Sequence, residues 1–162
     1  MKVFFKILSV LVLVFSLFGI KANAQSSKYK CMVQMNSYTG EGAYIVVSLV
    51  DSKGNYEKTL YVMGPDKKWY NSLKEWYKYF QKKAPKIDAI TGASVTGGDR
   101  SVKTFEIEDS KINAGYKLRF ESAVEDQDYH MDDVEIALTT EGLSAAKADG
   151  KGYIKYVRLN KI

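Results

Sequence analysis

In 162 residues the chain has one cysteine, one histidine and two prolines, and each scarcity closes a line of chemistry. With Cys31 alone, no internal disulfide can form, although an exported chain could support one. A zinc site would need more cysteine or histidine than is present. Any catalytic triad with a histidine base would depend on His130, and no nucleophile is visibly paired with it. The acidic residues around it, Asp126, Asp128, Asp132 and Asp133, could ligate a hard cation, but they lack the glycine-centred register of a calcium loop. They read as a solvated acidic turn. No Gly-Lys-Ser/Thr follows any glycine-rich stretch, which argues against a phosphate-binding loop.

Charge of one sign is also scarce. The formal net charge of +5 includes Lys2, Lys6 and Lys21, so residues 25–162 carry only +2, a balance that does not suggest a nucleic-acid partner. Nor is there an apolar run long enough to span a bilayer. Ile7 to Ile20 covers 14 residues, where a spanning helix needs about 20. With Lys2 and Lys6 before it and Ala22-Asn23-Ala24 after it, residues 1–24 read as a secretory signal peptide. The mature protein is expected to begin at Gln25, to lie in the periplasm or be secreted, and not to span a membrane after cleavage. No cysteine stands at the cleavage site, which argues against a lipoprotein. Residues 25–162 suffice for a single domain.

What remains is rich in strand patterns. Tyr29, Cys31, Val33 and Met35 alternate with Lys28, Lys30 and Gln34, the period of a half-buried strand with the thiol on its inner face. Ala43 to Val50 is apolar on both faces and should be central in its sheet. Asp51 to Asn55 turns the chain, and Tyr56 to Val62 returns as the second arm of a hairpin. Further strands are expected at Ser101–Ile107, Gly115–Val124, Val134–Thr140 and Tyr153–Leu159, with a polar turn at 125–128 and a mobile small-residue loop from Glu141 to Gly152. One segment breaks the pattern. From Lys67 to Gln81 the period lengthens to about 3.6, with Trp69, Leu73, Trp76, Tyr77 and Phe80 on one face, Asp66 as N-cap and Pro85 beyond the end. About seven strands with one inserted amphipathic helix predict an all-β protein, an antiparallel immunoglobulin-like β-sandwich.

The best candidate for a working site follows that helix. Asp88-Ala-Ile-Thr91-Gly92-Ala93-Ser94-Val-Thr96-Gly-Gly concentrates small, flexible residues around hydroxyls expected to stand exposed. The same string would also serve as an ordinary flexible connection between a helix and a strand. It resembles the acceptor motif of proteins that carry covalently attached FMN, Asp-x-x-(Ser/Thr)-Gly-Ala-(Thr/Ser). In that family a flavin transferase moves FMN from FAD onto the last hydroxyl as a phosphodiester. The resemblance implies that Ser94 is the acceptor, with Asp88, Thr91, Gly92 and Ala93 as the cofactor-binding motif, and with a redox partner beyond it. The aromatic helix just before the motif could offer a resting place for the flavin ring.

A second resemblance covers Tyr44 to Leu159. The apolar strand, the turn Asp51-Ser-Lys-Gly54, Lys58-Thr59-Leu60, Leu73-x-x-Trp76, the Gly-Ala-Ser loop and Gly115-x-Tyr appear in the order found in small predicted periplasmic proteins, the family called domain of unknown function 2271. That resemblance implies an immunoglobulin-like sandwich. The chain departs from it at Phe105-Glu106-Ile107, where the family has Trp-Asp-Gly. Two functional classes follow: an extracytoplasmic electron carrier with FMN on Ser94, or a non-catalytic secreted immunoglobulin-like binding module. An independent hydrolase is a third, more distant reading.

Overall fold

The computed structural model describes residues 25–162. The segment read as a signal peptide lies outside the described residues. Seven long strands form two sheets: β1 (Ser26–Met35), β2 (Tyr44–Val50), β3 (Tyr56–Met63), β5 (Arg100–Glu108), β6 (Lys117–Ala123), β7 (Tyr129–Ala137) and β9 (Ile154–Lys161). The two-residue strands β4 (Thr91–Gly92) and β8 (Ala148–Asp149) each add to one sheet edge. One sheet has the order β5-β1-β9-β8 and the other β4-β3-β2-β6-β7. The long strands thus pair as β5-β1-β9 against β3-β2-β6-β7. This is the neighbour order of an immunoglobulin-type sandwich, with the strand that usually comes first supplied last. All pairings are antiparallel except that of β4 with β3.

Between the sheets lies the main core. Tyr29, Cys31, Val33 and Met35 of β1 point inward, as their alternation requires, and meet Ile45, Val47, Leu49, Leu118, Phe120 and Val134 from the other sheet. Burial pushes the Cys31 thiol up to about 12, so it stays protonated and packs as a small apolar group.

The doubly apolar character of β2 has its own cause. Its second face is covered by a helical layer, where Val46 and Val62 pack with Tyr70, Leu73, Trp76, Ile87 and Ala123. That layer is not the single helix expected. Lys67–Ser72 is a 3₁₀ helix capped by the Asp66 carboxylate, which accepts from Lys68 N at 3.0 Å. Leu73 breaks the run with φ −85° and ψ 70°, and only then does α1 (Lys74–Lys83) begin. The break re-aims the aromatics. Tyr70, absent from the expected stripe, turns inward and donates its hydroxyl to Gly64 O at 3.1 Å, while Trp69 is left 39% exposed. Trp76 keeps its expected place, fully buried on the sheet, with its indole N–H on Thr59 Oγ1 at 2.8 Å.

Two other segments differ from the sequence reading. Strand β7 begins five residues earlier than expected, at Tyr129, so His130, Asp132 and Asp133 lie in the sheet and not in a turn. Asp133 is wholly buried and accepts from Ser122 Oγ and from the N–H groups of Lys151 (3.0 Å), Gly152 (2.7 Å) and Ile154 (3.0 Å). Its carboxylate therefore satisfies a buried turn of main chain, a structural role. The segment 141–152 is not a structureless loop either. It contains α2 (Thr140–Ser144), capped by Thr139 Oγ1 on Gly142 N at 3.0 Å, and strand β8.

Truncation of Trp76 tests the helical layer. Trp76→Ala is expected to cost roughly 3–5 kcal/mol, read as a lower urea midpoint. An unchanged midpoint would show that the layer does not depend on this side chain.

Candidate functional site

The glycine-rich stretch is pinned on both sides. Asp88–Ile90 forms one 3₁₀ turn, and Thr91 and Gly92 then pair in parallel with Val62 and Met63 of β3. Gly92 O accepts from Gly64 N at 2.7 Å. Two residues past Ala93, Val95 exchanges hydrogen bonds with Ala43 at 2.8 and 3.1 Å. The Tyr38 hydroxyl locks that bridge, donating to Val95 O at 2.7 Å and accepting from Ala43 N at 2.8 Å. Further on, a Cβ on Gly97 would stand 2.2 Å from Tyr38 O, so only glycine fits. The flexible connection expected from composition is instead an ordered element, because its small residues let backbones approach closely.

Between the two clamps, Ala93 is exposed and Ser94 half-buried, whereas both Ser94 and Thr96 were expected to stand exposed. Thr96 does. Ser94 lines a cleft of about 160 Å³ with Gly42, Tyr44, Trp69, Ser72, Glu41 and Glu125. Gly42 is what makes room for it: a Cβ there would lie 2.6 Å from Ser94 Oγ. Among the described residues, no hydrogen bond engages that hydroxyl. The cleft shares Trp69, Ser72, Ala123 and Glu125 with a second hollow of about 250 Å³, whose far wall includes Tyr129. The exposed Trp69 ring thus stands where both spaces meet.

Asp88, the first residue of the motif, does not line the cleft. Its carboxylate accepts from Lys67 Nζ at 2.7 Å, and this bond holds its pKa below the usual range. Thr91 Oγ1 donates back to Asp88 O at 3.3 Å. Both ends of the motif are therefore tied to the same 3₁₀ helix, Asp88 through Lys67 and Ser94 through the cleft shared with Trp69 and Ser72. The helix break at Leu73 creates that arrangement.

One functional group escaped the sequence reading. Lys117, Arg119 and Glu121 alternate on the polar face of β6, which pattern alone would leave in solvent. The helical layer covers that face. Glu121 is wholly buried beneath Trp76 and accepts from Tyr56 Oη (2.5 Å), Tyr129 Oη (2.6 Å) and Trp76 N (3.2 Å). Arg119 reaches Tyr56 Oη at 3.4 Å and Glu135 at 2.8 Å. Burial pushes the Glu121 carboxyl above its ordinary value, against the pull of the Tyr129 and Tyr56 hydroxyls. Through Tyr129, this network forms part of the wall of the hollow beside Trp69. The only sequence signal for it was an aromatic helix near a strand that carries charges on one face.

No group of His, Cys, Asp and Glu suited to holding a metal ion exists among the described residues. Among them, too, no helix is long and apolar enough to cross a membrane. The described residues form an all-β sandwich with a helical layer and a pinned glycine loop. The family model described as "Predicted periplasmic protein (DUF2271)" matches residues 26–156. The chain belongs to this family, whose description places it in the periplasm. No curated protein and no solved structure gave a significant match.

Two substitutions probe the site's supports. A carboxyl with a raised folded-state pKa binds its proton more readily folded than unfolded. Its contribution to stability is therefore full below the ordinary value of 4.5 and is lost as pH rises through the folded value. Urea midpoints of the wild type should fall over that window, and Glu121→Gln should remove that part of the slope. An unaltered slope would assign it to other groups. Tyr38→Phe removes both hydroxyl bonds of the loop clamp, at a cost of about 1–3 kcal/mol. Amide exchange at Val95 and Ala43 should quicken, and equal exchange in both proteins would show that the clamp does not need the hydroxyl.

Proposed function

We propose that the protein is a periplasmic electron carrier that bears FMN on Ser94 through a phosphodiester bond. The observation that carries this reading is the state of Ser94 Oγ. It closes the Asp88-x-x-Thr91-Gly92-Ala93-Ser94 motif, has no hydrogen-bond partner among the described residues, and faces a cleft walled by a partly exposed tryptophan. Residues 1–24 would direct export and be removed, leaving residues 25–162 as one domain.

The surrounding residues fit the group. Gly92 and Ala93 leave the approach to Ser94 open to a transferase, and the clamps at Thr91–Gly92 and Val95 fix where the hydroxyl stands. Trp69, Tyr44 and Tyr129 offer aromatic faces on the two connected hollows. Glu41 and Glu125 supply negative charge to the wall. That charge disfavours retention of a free phosphate dianion, so a flavin here would depend on a covalent link.

In the attachment step, Ser94 Oγ would attack the FMN phosphorus of FAD. The Oγ–P bond forms, the pyrophosphate P–O bond breaks, AMP leaves, and the Oγ proton passes to a base of the transferase. Once attached, the flavin supplies reversible electron transfer. The chain's own task is then to hold the tether, exclude water on the Trp69 side and present the group to a redox partner.

The test is production with and without an active flavin transferase, with FAD and Mg²⁺ supplied, and flavin fluorescence of the band on a denaturing gel. Fluorescence is expected in the wild type, in Thr91→Ala and in Thr96→Ala, and should vanish in Ser94→Ala. A dark wild-type band in the presence of the transferase would sink the reading. The immunoglobulin-type sandwich would then be better described as a non-catalytic binding module.

A further inference from the structure

A cavity of about 520 Å³ lies at the opposite end of the sandwich from Ser94. The register shows the separation. Ala43, beside Val95, precedes the Tyr44–Ala123 pair at one end of β2, while Val50, Lys117 and Ala137 align at the other. There the connection at Ile112, the helix α2 and the end of β9 border an open hollow with Tyr29 of β1. Its volume is in the range of small-molecule sites.

The lining has two characters. Ile112, Leu143, Leu159 and the Tyr29 ring make an apolar body, and Asn160, Lys161 and the hydroxyl residues of α2 make a polar margin. Lys161 is the only charged residue of that lining. It is exposed and, like several other lysines, has no acidic partner within salt-bridge distance among the described residues. Tyr29, 3% exposed, contributes its ring to the apolar part of the wall.

The walls are held in place before any ligand arrives. Asn113 N donates to Leu138 O at 2.7 Å, and the Asn113 side chain exchanges hydrogen bonds with Thr140 through Thr140 Oγ1 (3.1 Å) and Thr140 N (3.0 Å). These bonds fix the Ile112 connection to the start of α2. A preformed pocket avoids much of the ordering cost of binding.

We infer that this cavity binds an amphipathic organic monoanion of the carboxylate class, with its apolar body against Ile112, Leu143 and Leu159 and its carboxylate at Lys161 and Asn160. The site is independent of Ser94 and of the flavin reading. A ligand of this kind pairs with the Lys161 ammonium and covers the apolar half in one step, which a cation or a neutral polar molecule would not.

The probe is 4-phenylbutyrate, titrated into residues 25–162 and followed by amide chemical shifts and calorimetry, with 4-phenylbutylamine as the charge-reversed control. Saturable shifts are expected at Tyr29, Leu143, Leu159 and Lys161, with no comparable binding of the amine. Lys161→Met should weaken binding about tenfold, equal to about 1.4 kcal/mol. Ala146 is an exposed residue of the lining, so Ala146→Trp should fill the space without disturbing the core and should abolish binding. Ser94→Ala should bind as the wild type does. Absence of saturable binding, equal binding of the amine, or full binding by Ala146→Trp would each overturn the assignment.

Discussion

The attachment of the helical layer to the five-stranded sheet is the contact on which the rest depends, and Trp76 is its centre. Its ring packs between Tyr70 and Phe80, its indole N–H reaches Thr59, and its backbone N–H reaches the buried Glu121. Without that layer, Val46, Val62 and the polar face of β6 would meet water. With it, β2 is buried on both faces and can hold the centre of its sheet. The layer also sets the position of the 3₁₀ helix, and through Lys67, Trp69 and Ser72 the shape of the Ser94 cleft.

Such a layer has to reconcile charge with burial. Arg119 and Glu121 come from a strand whose other face fills the main core, so they cannot be turned outward without losing Leu118 and Phe120 from it. The solution is to satisfy the carboxylate completely. Three donors converge on Glu121, and Arg119 in turn is held by Glu135. A buried polar network of this kind is weak evidence for added stability, but its hydrogen bonds hold Tyr129 against Glu121. Tyr129 in turn forms part of the hollow beside Trp69.

How much of this was legible depends on how local each cause is. The alternation of Tyr29 to Met35 and the doubly apolar run of β2 encode burial directly, and both strands form as read. The break at Leu73 is not local, because it exists to bring Tyr70 to Gly64 and to let Leu73 and Trp76 reach the sheet together. The early start of β7 was hidden by its charges. Asp132 and Asp133 look like turn residues, but Asp133 is drawn inside by the N–H groups of Lys151, Gly152 and Ile154, about twenty residues away. The order in 140–149 was hidden as well, since its small and mostly exposed residues carry little pattern of their own.

For the candidate site, the motif was legible and its setting was not. Nothing near Ser94 in sequence shows that Gly42 makes room for its side chain, or that Trp69 would leave the core to stand beside it. Under the proposed flavin reading, the setting also bears on how a half-buried hydroxyl would be reached. The main core is held by long ladders, whereas the Ser94 segment is held by two short ones, the β4 pairing and the Val95–Ala43 bridge. Short ladders at a sheet margin open at lower free energy than the strands behind them. The segment is therefore ordered in the folded chain and still the part of this sheet margin that opens most readily. The Tyr38 hydroxyl, which spans the weaker of the two ladders, is the group that sets that balance.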